Sequence, residues 1–258
     1  MLTAFLPESS FAYFSLKKSR SPKAKPKGTY MTLDVRLRAA ADMVPRGARL
    51  ADIGSDHAYL PIALCLEEKI SRALASDINE GPVAAAVANI KKNNLEEQIE
   101  AVRADGLAGA RSFAPDCITV LGMGGELIVS ILSAAEWVRD GGITLILQPM
   151  THPEALAHYL ADGGFRVLDE KMVCDNGRDD RIYRIIKAKF NGVRREIDEL
   201  DAMFGKINLD RGDSATRALV ERQIRVLNAR IRGRASAGHG CEAEKKLVAE
   251  MKEYLERK

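Results

Sequence analysis

Apolar and polar positions along residues 49–190 form patterns that predict strands and helices in turn. Buried-strand patterns occur in ARLADIG, which ends at Gly54, in SRALASDI, which ends at Asp77, and in IEAVRADG. Helical patterns separate them, since YLPIALCLEEK follows the first strand and the Ala-rich GPVAAAVANIKKNN, opened by Pro82, follows the second. Three strand–helix units in series predict a parallel sheet.

The second half of this region adds two more strands and then breaks the alternation. CITVLGMGG and ITLILQP are predicted strands, and helices are predicted over 126–133 and after Pro153. FRVLDEKMVC and RIYRIIKAKF then follow with no helix between them, joined by a turn-prone Asp-Asn-Gly at 175–177. The sequence therefore predicts an α/β fold in which an antiparallel hairpin closes a parallel sheet.

Beyond Phe190 the pattern becomes helical. Helices are predicted in VRREIDELDAMFG, which stops at Gly205, in SATRALVERQIRVLNARIRGR and in CEAEKKLVAEMKEYLERK, with the flexible turn ASAGHG between the last two. Each of these two helices carries a narrow apolar stripe, which predicts an antiparallel helical hairpin. The stripes are Val220, Ile224, Leu227 and Ile231 in the first, and Leu247, Met251 and Leu255 in the second.

Residues 1–30 differ in composition from the rest of the chain. Apolar residues precede a run of Lys and Arg, which reverses the order found in a secretory signal. Pro22, Pro26 and Gly28 within this run indicate a flexible basic leader, so Met31 is a candidate for the native start; an arm that grips RNA is the alternative. Three parts are therefore expected. They are the leader 1–30, a sheet domain over 31–190 and a helical domain over 191–258.

Composition is that of an ordinary soluble protein. The 258 residues are 46% hydrophobic and 29% charged, and the net charge of +3 permits a polyanionic partner without requiring one. Four scattered cysteines form neither a zinc motif nor a disulfide framework, so no metal is expected, and no apolar run is long enough to span a membrane. We expect a cytoplasmic protein with reduced thiols. A monomer is expected, with a weak dimer through the helical tail as the alternative.

Polar residues stand where the first three predicted strands end. The strands finish at Gly54, Asp77 and Asp105, and the carboxyl ends of such strands meet at the topological switch point where ligands bind. Asp77 follows the first turn by about twenty residues, the spacing of a carboxylate that accepts both hydroxyls of a ribose. Asp105 and Gly106 add a polar end beside which an adenine could lie against Leu107.

The first loop, in ADIGSDHAYLP, departs from the dinucleotide-binding fingerprint. Asp56 and Ala58 stand where that motif needs further glycines, so the backbone is not suited to a pyrophosphate. A ligand with no phosphate and a positive sulfonium would instead be favoured by Asp52 and Asp56. These requirements predict S-adenosylmethionine (SAM), not NAD, as the cofactor. Tyr59 and Leu60 are further cofactor-binding candidates, with simple packing as the alternative.

The other cofactor candidates have structural alternatives too. Asp52 and Asp77 could cap helices, since Asp is a favoured N-cap residue. Gly54 would suit any strand-to-helix turn. His57 has no second His or Cys at metal-ligand spacing, so a metal-binding role is not expected. Its side chain is either a residue of the ligand cleft or a structural imidazole.

A glycine-rich loop, Gly122-Met123-Gly124-Gly125, ends the fourth strand beside the expected methyl donor. Many amino-methyltransferases hold an exocyclic amine there with an Asn-Pro-Pro-aromatic or Asp-Pro-Pro-aromatic loop, and this chain has none of those side chains. The glycines allow a flat base to approach, although a tight turn alone would also need them. Gln148 and Pro149 end the next strand, where the amide offers a donor and an acceptor to a base edge. The loop therefore predicts a ring nitrogen as nucleophile.

Five motifs follow one another along the chain: VPRGARLADIGSDHAYLPIAL, INEGPVAAA, VRADGL, LGMGGELI and LILQPMTHPE. Their order resembles the bacterial tRNA adenine-22 N1-methyltransferases, the TrmK type of class I methyltransferase. The resemblance covers about residues 31–190 and is weaker in the helical tail. It implies a Rossmann-like methyltransferase domain, a coiled-coil-like C-terminal domain and methylation of ring N1 of a tRNA adenine. Members often carry Glu where this chain has Asp77, a shorter arm for the same role.

This resemblance makes tRNA the expected partner. Asp56 is predicted to stabilise the positive charge that the adenine acquires. In the helical tail Arg222, Arg225 and Arg232 lie away from the apolar stripe and are predicted to contact RNA phosphates, with a merely solvated face as the alternative. The alternative functions are methylation of another RNA, a protein or a small molecule, and a non-catalytic RNA-binding or SAM-sensing module.

Overall fold

The computed structural model describes residues 31–175, 181–236 and 240–257. Its centre is a seven-stranded sheet in the order β3-β2-β1-β4-β5-β7-β6, in which β1 to β5 are parallel and β7 is antiparallel to both of its neighbours. The predicted parallel sheet with a closing hairpin is therefore confirmed. The strands are β1 (Arg49–Ile53), β2 (Arg72–Asp77), β3 (Ile99–Arg103), β4 (Cys117–Gly124), β5 (Thr144–Thr151), β6 (Phe165–Asp175) and β7 (Arg181–Phe190). The basic leader and the turn over 176–180 lie outside the described residues.

Helices cover both faces of the sheet. One buried apolar cluster joins the strands to α1, α2 and α3, and a second joins them to α4, α5 and α6. The helices are α1 (Val35–Met43), α2 (Tyr59–Leu66), α3 (Glu80–Lys92), α4 (Ala110–Phe113), α5 (Gly125–Ser133), α6 (Pro153–Asp162), α7 (Glu199–Phe204), α8 (Lys206–Arg211), α9 (Ser214–Ser236) and α10 (Glu242–Arg257), with one 3-10 turn (Glu136–Arg139). In the described part of the chain no helix has the length and apolar character needed to cross a membrane.

Local sequence sets the helix starts that flank the sheet. Asp34 caps α1, because its carboxylate accepts a hydrogen bond of 2.7 Å from the Leu37 amide. Helix α3 begins at Glu80, two residues before the predicted start at Pro82. A proline is tolerated in the first turn because its missing N–H would have no partner within the helix.

The ends of the parallel strands lie side by side along one edge of the sheet, called here the carboxyl edge. In register, Ile53 of β1 pairs with Ser76 of β2 and with Val120 of β4, and Asp77 pairs with Arg103 of β3. Strand β1 is thus flanked by β2 and β4, and the chain order reverses at this point. The predicted switch point therefore lies at the end of β1, where Gly54 follows.

Residues 193–205 do not form the single helix that the sequence predicts. Helix α7 begins only after Asp198, which caps it by accepting a 2.8 Å hydrogen bond from the Asp201 amide. It ends at Gly205, whose φ of +85° breaks the helix, and an unpredicted α8 begins directly afterwards. A Cβ atom at Gly205 would lie 2.0 Å from a carboxylate oxygen of Glu170, so only glycine fits there.

A buried ion pair joins the closing hairpin to these two helices. Arg184 of β7 donates to one carboxylate oxygen of Glu170 of β6 at 2.8 and 3.0 Å, and its third nitrogen donates to the Ala202 carbonyl at 2.7 Å. The second oxygen of Glu170 accepts from the Ile207 amide at 3.1 Å. Because these charges are almost fully buried, removing one partner would leave the other charge buried and unpaired.

Helices α9 and α10 form the predicted antiparallel hairpin. Arg217 near the start of α9 donates to the Leu255 carbonyl near the end of α10, and Arg234 at the far end of α9 pairs with Glu244 at 2.9 Å. The predicted stripe of α9 packs into this contact. In α10 the predicted Met251 is buried and the predicted Leu247 and Leu255 pack against the same cluster, which Val248 and Tyr254 complete. Residues 237–239 of the predicted turn lie outside the described residues.

Candidate active site

The turn after β1 adopts an unusual backbone conformation. Gly54 has φ of +71°, and it is followed by two left-handed residues that are not glycine, His57 at +63° and Ala58 at +56°. Such conformations cost of order 1–3 kcal/mol each and persist only where neighbouring structure holds them. Asn89 of α3 supplies part of that support, because its side-chain amide donates to the His57 carbonyl at 3.1 Å. Helix α2 then starts at Tyr59.

The carboxylate of Asp52 is buried where β1 meets β4. The hydroxyls of Ser55 and Thr119 donate to its two oxygens, each at 2.6 Å. Burial raises the pKa of Asp52, while the two hydrogen bonds and the charge of Arg36 act in the opposite direction. Asp52 caps no helix, so that alternative is wrong. It instead ties the first turn to the neighbouring strand.

Asp77 lies half-exposed at the end of β2. One of its carboxylate oxygens accepts from the Asn79 amide at 2.8 Å, and Asn79 is the residue that caps α3. Asp105 is exposed in the loop after β3, beside Gly106 with φ of +52°. Leu107 is only 5% exposed and packs in the second apolar cluster, so its side chain has little surface left for an adenine. The expectation of an apolar platform at Leu107 is therefore corrected.

Two aromatic rings lie at the N-terminus of α2. The His57 ring stacks on Tyr59 with 5.2 Å between ring centres, and its Nε2 lies 3.2 Å from a carboxylate oxygen of Asp56. The Asp56 side chain is 69% exposed, which leaves room for a substrate to cover it. Leu60 is buried in the first cluster, in agreement with the packing alternative. Asp56, His57 and Tyr59 thus form the accessible rim of the turn.

The predicted glycine loop is instead the end of β4: Gly122 and Gly124 belong to the strand, Gly125 begins α5, and this segment contacts both neighbouring turns. A Cβ atom at Gly54 would lie 2.1 Å from the terminal methyl of Met123, so Met123 packs directly over the first turn. A Cβ atom at Gly125 would lie 2.1 Å from the carbonyl oxygen of His152, which belongs to the loop after β5. Glycine at these positions lets the ends of β1, β4 and β5 approach one another closely.

Gln148 supports this loop from inside the protein. Its side chain is fully buried, and its carbonyl oxygen accepts from the Gly122 amide at 3.1 Å and from Arg36 at 3.3 Å. Its side-chain nitrogen donates to the carbonyl of Pro149 at 2.8 Å. Since protein groups already occupy the amide, the expectation that Gln148 contacts a base edge is wrong. Gln148 and the buried Pro149 thus support the end of β4 from inside the protein.

Arg36 is a residue of this site that sequence reasoning missed. It lies in the first turn of α1, its side chain is 22% exposed, and one guanidinium nitrogen lies 3.3 Å from the place a Gly122 Cβ would take. The carboxylate of Asp34 is 3.9 Å away. Arg36 and Gln148 are 112 residues apart. The one sequence feature that could have pointed to Arg36 was its position as a basic residue at the start of a patterned segment.

Comparison with known proteins identifies the family. A family model described as a methyltransferase domain matches residues 33–186. A curated relative, the tRNA (adenine(22)-N(1))-methyltransferase of Bacillus subtilis (strain 168), is 35% identical over 182 residues, which are 70% of this chain and 72% of that protein. The chain belongs to the bacterial tRNA (adenine-22-N1)-methyltransferase family.

Solved structures of this family have the same fold as the chain. The Streptococcus pneumoniae protein Sp1610 in complex with S-adenosyl-L-methionine is 29% identical with a TM-score of 0.77, and the alignment covers 87% of this chain and all of that one. The Bacillus subtilis tRNA methyltransferase TrmK is 28% identical with a TM-score of 0.73, covering 88% of this chain and 97% of that one. Because the alignments extend well past Phe190, the helical tail belongs to the shared architecture.

Two other predictions concern the described residues outside this edge. Arg222, Arg225 and Arg232 are exposed on α9, as predicted, and their contact with RNA stays a prediction. Over residues 31–175, 181–236 and 240–257, no three His, Cys, Asp or Glu side chains cluster as metal ligands would.

Proposed function

We propose that the protein transfers the methyl group of SAM to ring N1 of an adenine in tRNA. The observation that carries this proposal is the contrast at the switch point. Carboxylates at Asp52 and Asp77 flank the Gly54 turn, whereas the loop opposite offers glycines and no side chain that would hold an exocyclic amine. The curated relative is named for the same reaction, and the Streptococcus pneumoniae structure contains the same cofactor.

The residues of the carboxyl edge fit SAM. Asp77 has a half-exposed carboxylate whose second oxygen can accept from ribose hydroxyls, and the exposed Asp105 lies one strand further out, on the side proposed for the adenine. The left-handed turn at Gly54, over which Met123 packs, lies on the side proposed for the methionine portion. Asp52 and Asp56 place negative charge beside a positive sulfonium. SAM supplies the electrophilic methyl group, and these side chains fix its direction of approach.

Arg36 is suited to the carboxylate of the cofactor's amino-acid portion. The sheet order places adenosine recognition at β3 and β2, the sulfonium near β1, and β4 next in line, two strand spacings or roughly 10 Å beyond β2. Arg36 lies at this position beside Gly122, and Gln148 accepts from one of its five N–H groups. A positively charged arginine near the positive sulfonium is favourable only if an anion contacts the arginine. The amino-acid carboxylate of the cofactor is such an anion.

The reaction depends more on alignment of the adenine with the methyl group than on a general base. Ring N1 already has an in-plane lone pair, so no proton has to be removed before it attacks. Because N1 lies on the Watson–Crick edge, the adenine must be unpaired or turned out of its stack to reach the methyl group. Asp56 is proposed to accept from the exocyclic amine and to stabilise the charge that develops on the ring. His57 lies close enough to orient that carboxylate.

Nucleoside analysis tests this proposal. The protein is incubated with methyl-labelled SAM and total bacterial tRNA, which is then digested and separated. Labelled N1-methyladenosine is expected with the wild type, and much less of it with Asp77→Ala at limiting SAM. Labelled N6-methyladenosine would refute the ring-nitrogen argument. No label in RNA, with SAM binding intact, would refute the function itself.

A further inference from the structure

A groove of about 440 Å³ lies over β2 and β3 beside α4, outside the candidate active site. Its lining includes Arg49, Arg72, Arg103 and Phe113, which together are called the arginine groove. Glu100 is the acidic residue of the lining. Three positive charges against one negative charge leave an excess that a neighbouring anion would stabilise.

Arg49 and Arg72 form the centre of the groove. They pair in register on β1 and β2, and their guanidinium carbons lie 4.7 and 6.0 Å from the centre of the same Phe113 ring. The aromatic ring attracts each cation, but the two cations repel each other. An anion that contacts both would remove that repulsion.

Neither guanidinium has an ionic partner within the part of the chain that the structure describes. The nearby carboxylate of Asp116 instead accepts from the backbone amide of Arg49 at 2.9 Å. The Nε of Arg49 is buried without an acceptor, which commonly costs of order 1–3 kcal/mol. Arg49 is thus held with one donor unsatisfied, beside the exposed Arg72.

Arg103 extends this charge to the carboxyl edge. It pairs in register with Asp77, and its Nε donates to the Ile78 carbonyl at 3.0 Å, which leaves its terminal nitrogens for another contact. Five residues of strand separate Arg72 from Asp77, a length of roughly 16 Å at 3.3 Å per residue. Positive residues spread over this length of strand suit a chain of phosphates more than one small anion. Phe113 lies buried beneath the arginines, so its ring is not available to stack with a base.

We infer that the arginine groove binds backbone phosphates of the tRNA substrate, an inference that rests on the proposed function. The groove lies at the β3 end of the sheet, and the helical tail packs against β6 at the opposite end. Arg49 and Arg72 are the first residues of β1 and β2, so the centre of the groove lies at the amino ends of these strands, roughly 16 Å along the strand from the carboxyl edge. A tRNA large enough to extend from the carboxyl edge past Arg103 to the amino ends of β1 and β2 would be contacted there by the groove, independently of the tail.

Arg72→Ala tests the inference with little risk to folding, because Arg72 is exposed. The double variant Arg49→Ala/Arg72→Ala removes the whole centre of the groove. Arg111→Ala is the matched control, since Arg111 is an exposed arginine of α4 that carries the same charge but does not line the groove. For each protein, tRNA affinity is measured over a series of salt concentrations, and affinity for S-adenosylhomocysteine (SAH) is measured alongside.

Arg72→Ala should bind tRNA about five- to tenfold more weakly at about 0.1 M salt, and the double variant more weakly still. The slope of log affinity against log salt should fall by about 0.7–0.9 for each lost phosphate contact. SAH affinity should be unchanged in all variants, and Arg111→Ala should behave as wild type.

Two results would overturn the inference while leaving the proposed function intact. One is unchanged tRNA affinity and salt slope in the double variant, provided that the wild type methylates tRNA. The other is an equal loss in Arg111→Ala, which would mean that overall charge and not the groove is responsible. A wild type that binds SAH but neither binds nor methylates tRNA would refute both the function and the inference.

Discussion

The carboxyl edge has two sides that are held together differently. On the cofactor side, at the ends of β1 to β3, close sequence neighbours hold the polar side chains: Asp77 is held by Asn79, two residues on, and Asp52 by Ser55, three residues on, with one long-range contact from Thr119 of β4 to Asp52. On the base side, at the ends of β4 and β5, the Gly122 amide is held by Gln148, 26 residues away. Gln148 in turn accepts from Arg36, 112 residues away.

This difference separates the two functions of the edge. Short-range hydrogen bonds predominate on the cofactor side, where Thr119 of β4 adds one long-range contact to Asp52. The base side is held by long-range contacts, since Gln148 of β5 accepts both from Gly122 at the end of β4 and from Arg36 of α1. We therefore expect substitutions on the cofactor side to act mainly on cofactor affinity. Substitutions on the rim that faces the base should act mainly on the methylation step.

Replacing Asp56 should produce the largest effect and the clearest separation. Asp56→Asn keeps the shape of the side chain and removes its charge, so the methylation rate should fall about 100-fold or more, the usual result of losing one preorganised electrostatic contact. SAH affinity should change much less. Single-turnover methylation and calorimetric SAH binding measure the two quantities, with the exposed Asp140→Asn as control. A near-wild-type rate would assign the charge stabilisation to another group.

A pair of substitutions asks next whether the base side also contributes to cofactor binding. Asp77→Ala removes the proposed ribose contact, so affinity for SAH and for 5′-methylthioadenosine should both fall at least about tenfold. Arg36→Ala should weaken SAH by about tenfold and leave 5′-methylthioadenosine unchanged, because only SAH has the amino-acid carboxylate. Titration calorimetry gives all four constants. Equal losses of both ligands in Arg36→Ala would show that Arg36 only supports the loop.

The same short-range and long-range difference explains what the sequence could predict. The strand–helix order and the closing hairpin follow from local periodicity, and the structure confirms them. The break at Gly205 was placed correctly, but the continuation into α8 was not, because it depends on the carboxylate of Glu170 lying against that glycine. That contact joins residues 35 positions apart and has no local signature.

The candidate site divides in the same way. Gly54, Asp77 and Asp105 could be placed from spacing alone, because the carboxyl ends of adjacent parallel strands must meet. The sequence could not show that Gln148 is turned inward, because its orientation is set by partners on α1 and β4. Arg36 was missed for the same reason.

The smallest expected effect concerns the buried carboxyl group of the cofactor side. Burial raises the pKa of Asp52 in the folded protein above the value of about 3.9 that an unfolded chain has. Between these two values the folded state holds the proton that the unfolded state has released. The stability that Asp52 contributes is therefore fully present below about pH 4, and it is lost as the pH rises to and through the folded pKa.

Asp52→Asn removes this titration while keeping a side chain that Ser55 and Thr119 can still contact. The stability of the wild type relative to Asp52→Asn should therefore fall with rising pH above about 4 and level off once the folded carboxyl has ionised. Each unit of raised pKa corresponds to about 1.4 kcal/mol. Urea unfolding of both proteins from pH 4 to 8 measures the difference. A difference that stays constant over this range would mean that the hydroxyls and Arg36 offset the burial of Asp52 in full, and that the cofactor side holds an ordinary carboxylate before SAM binds.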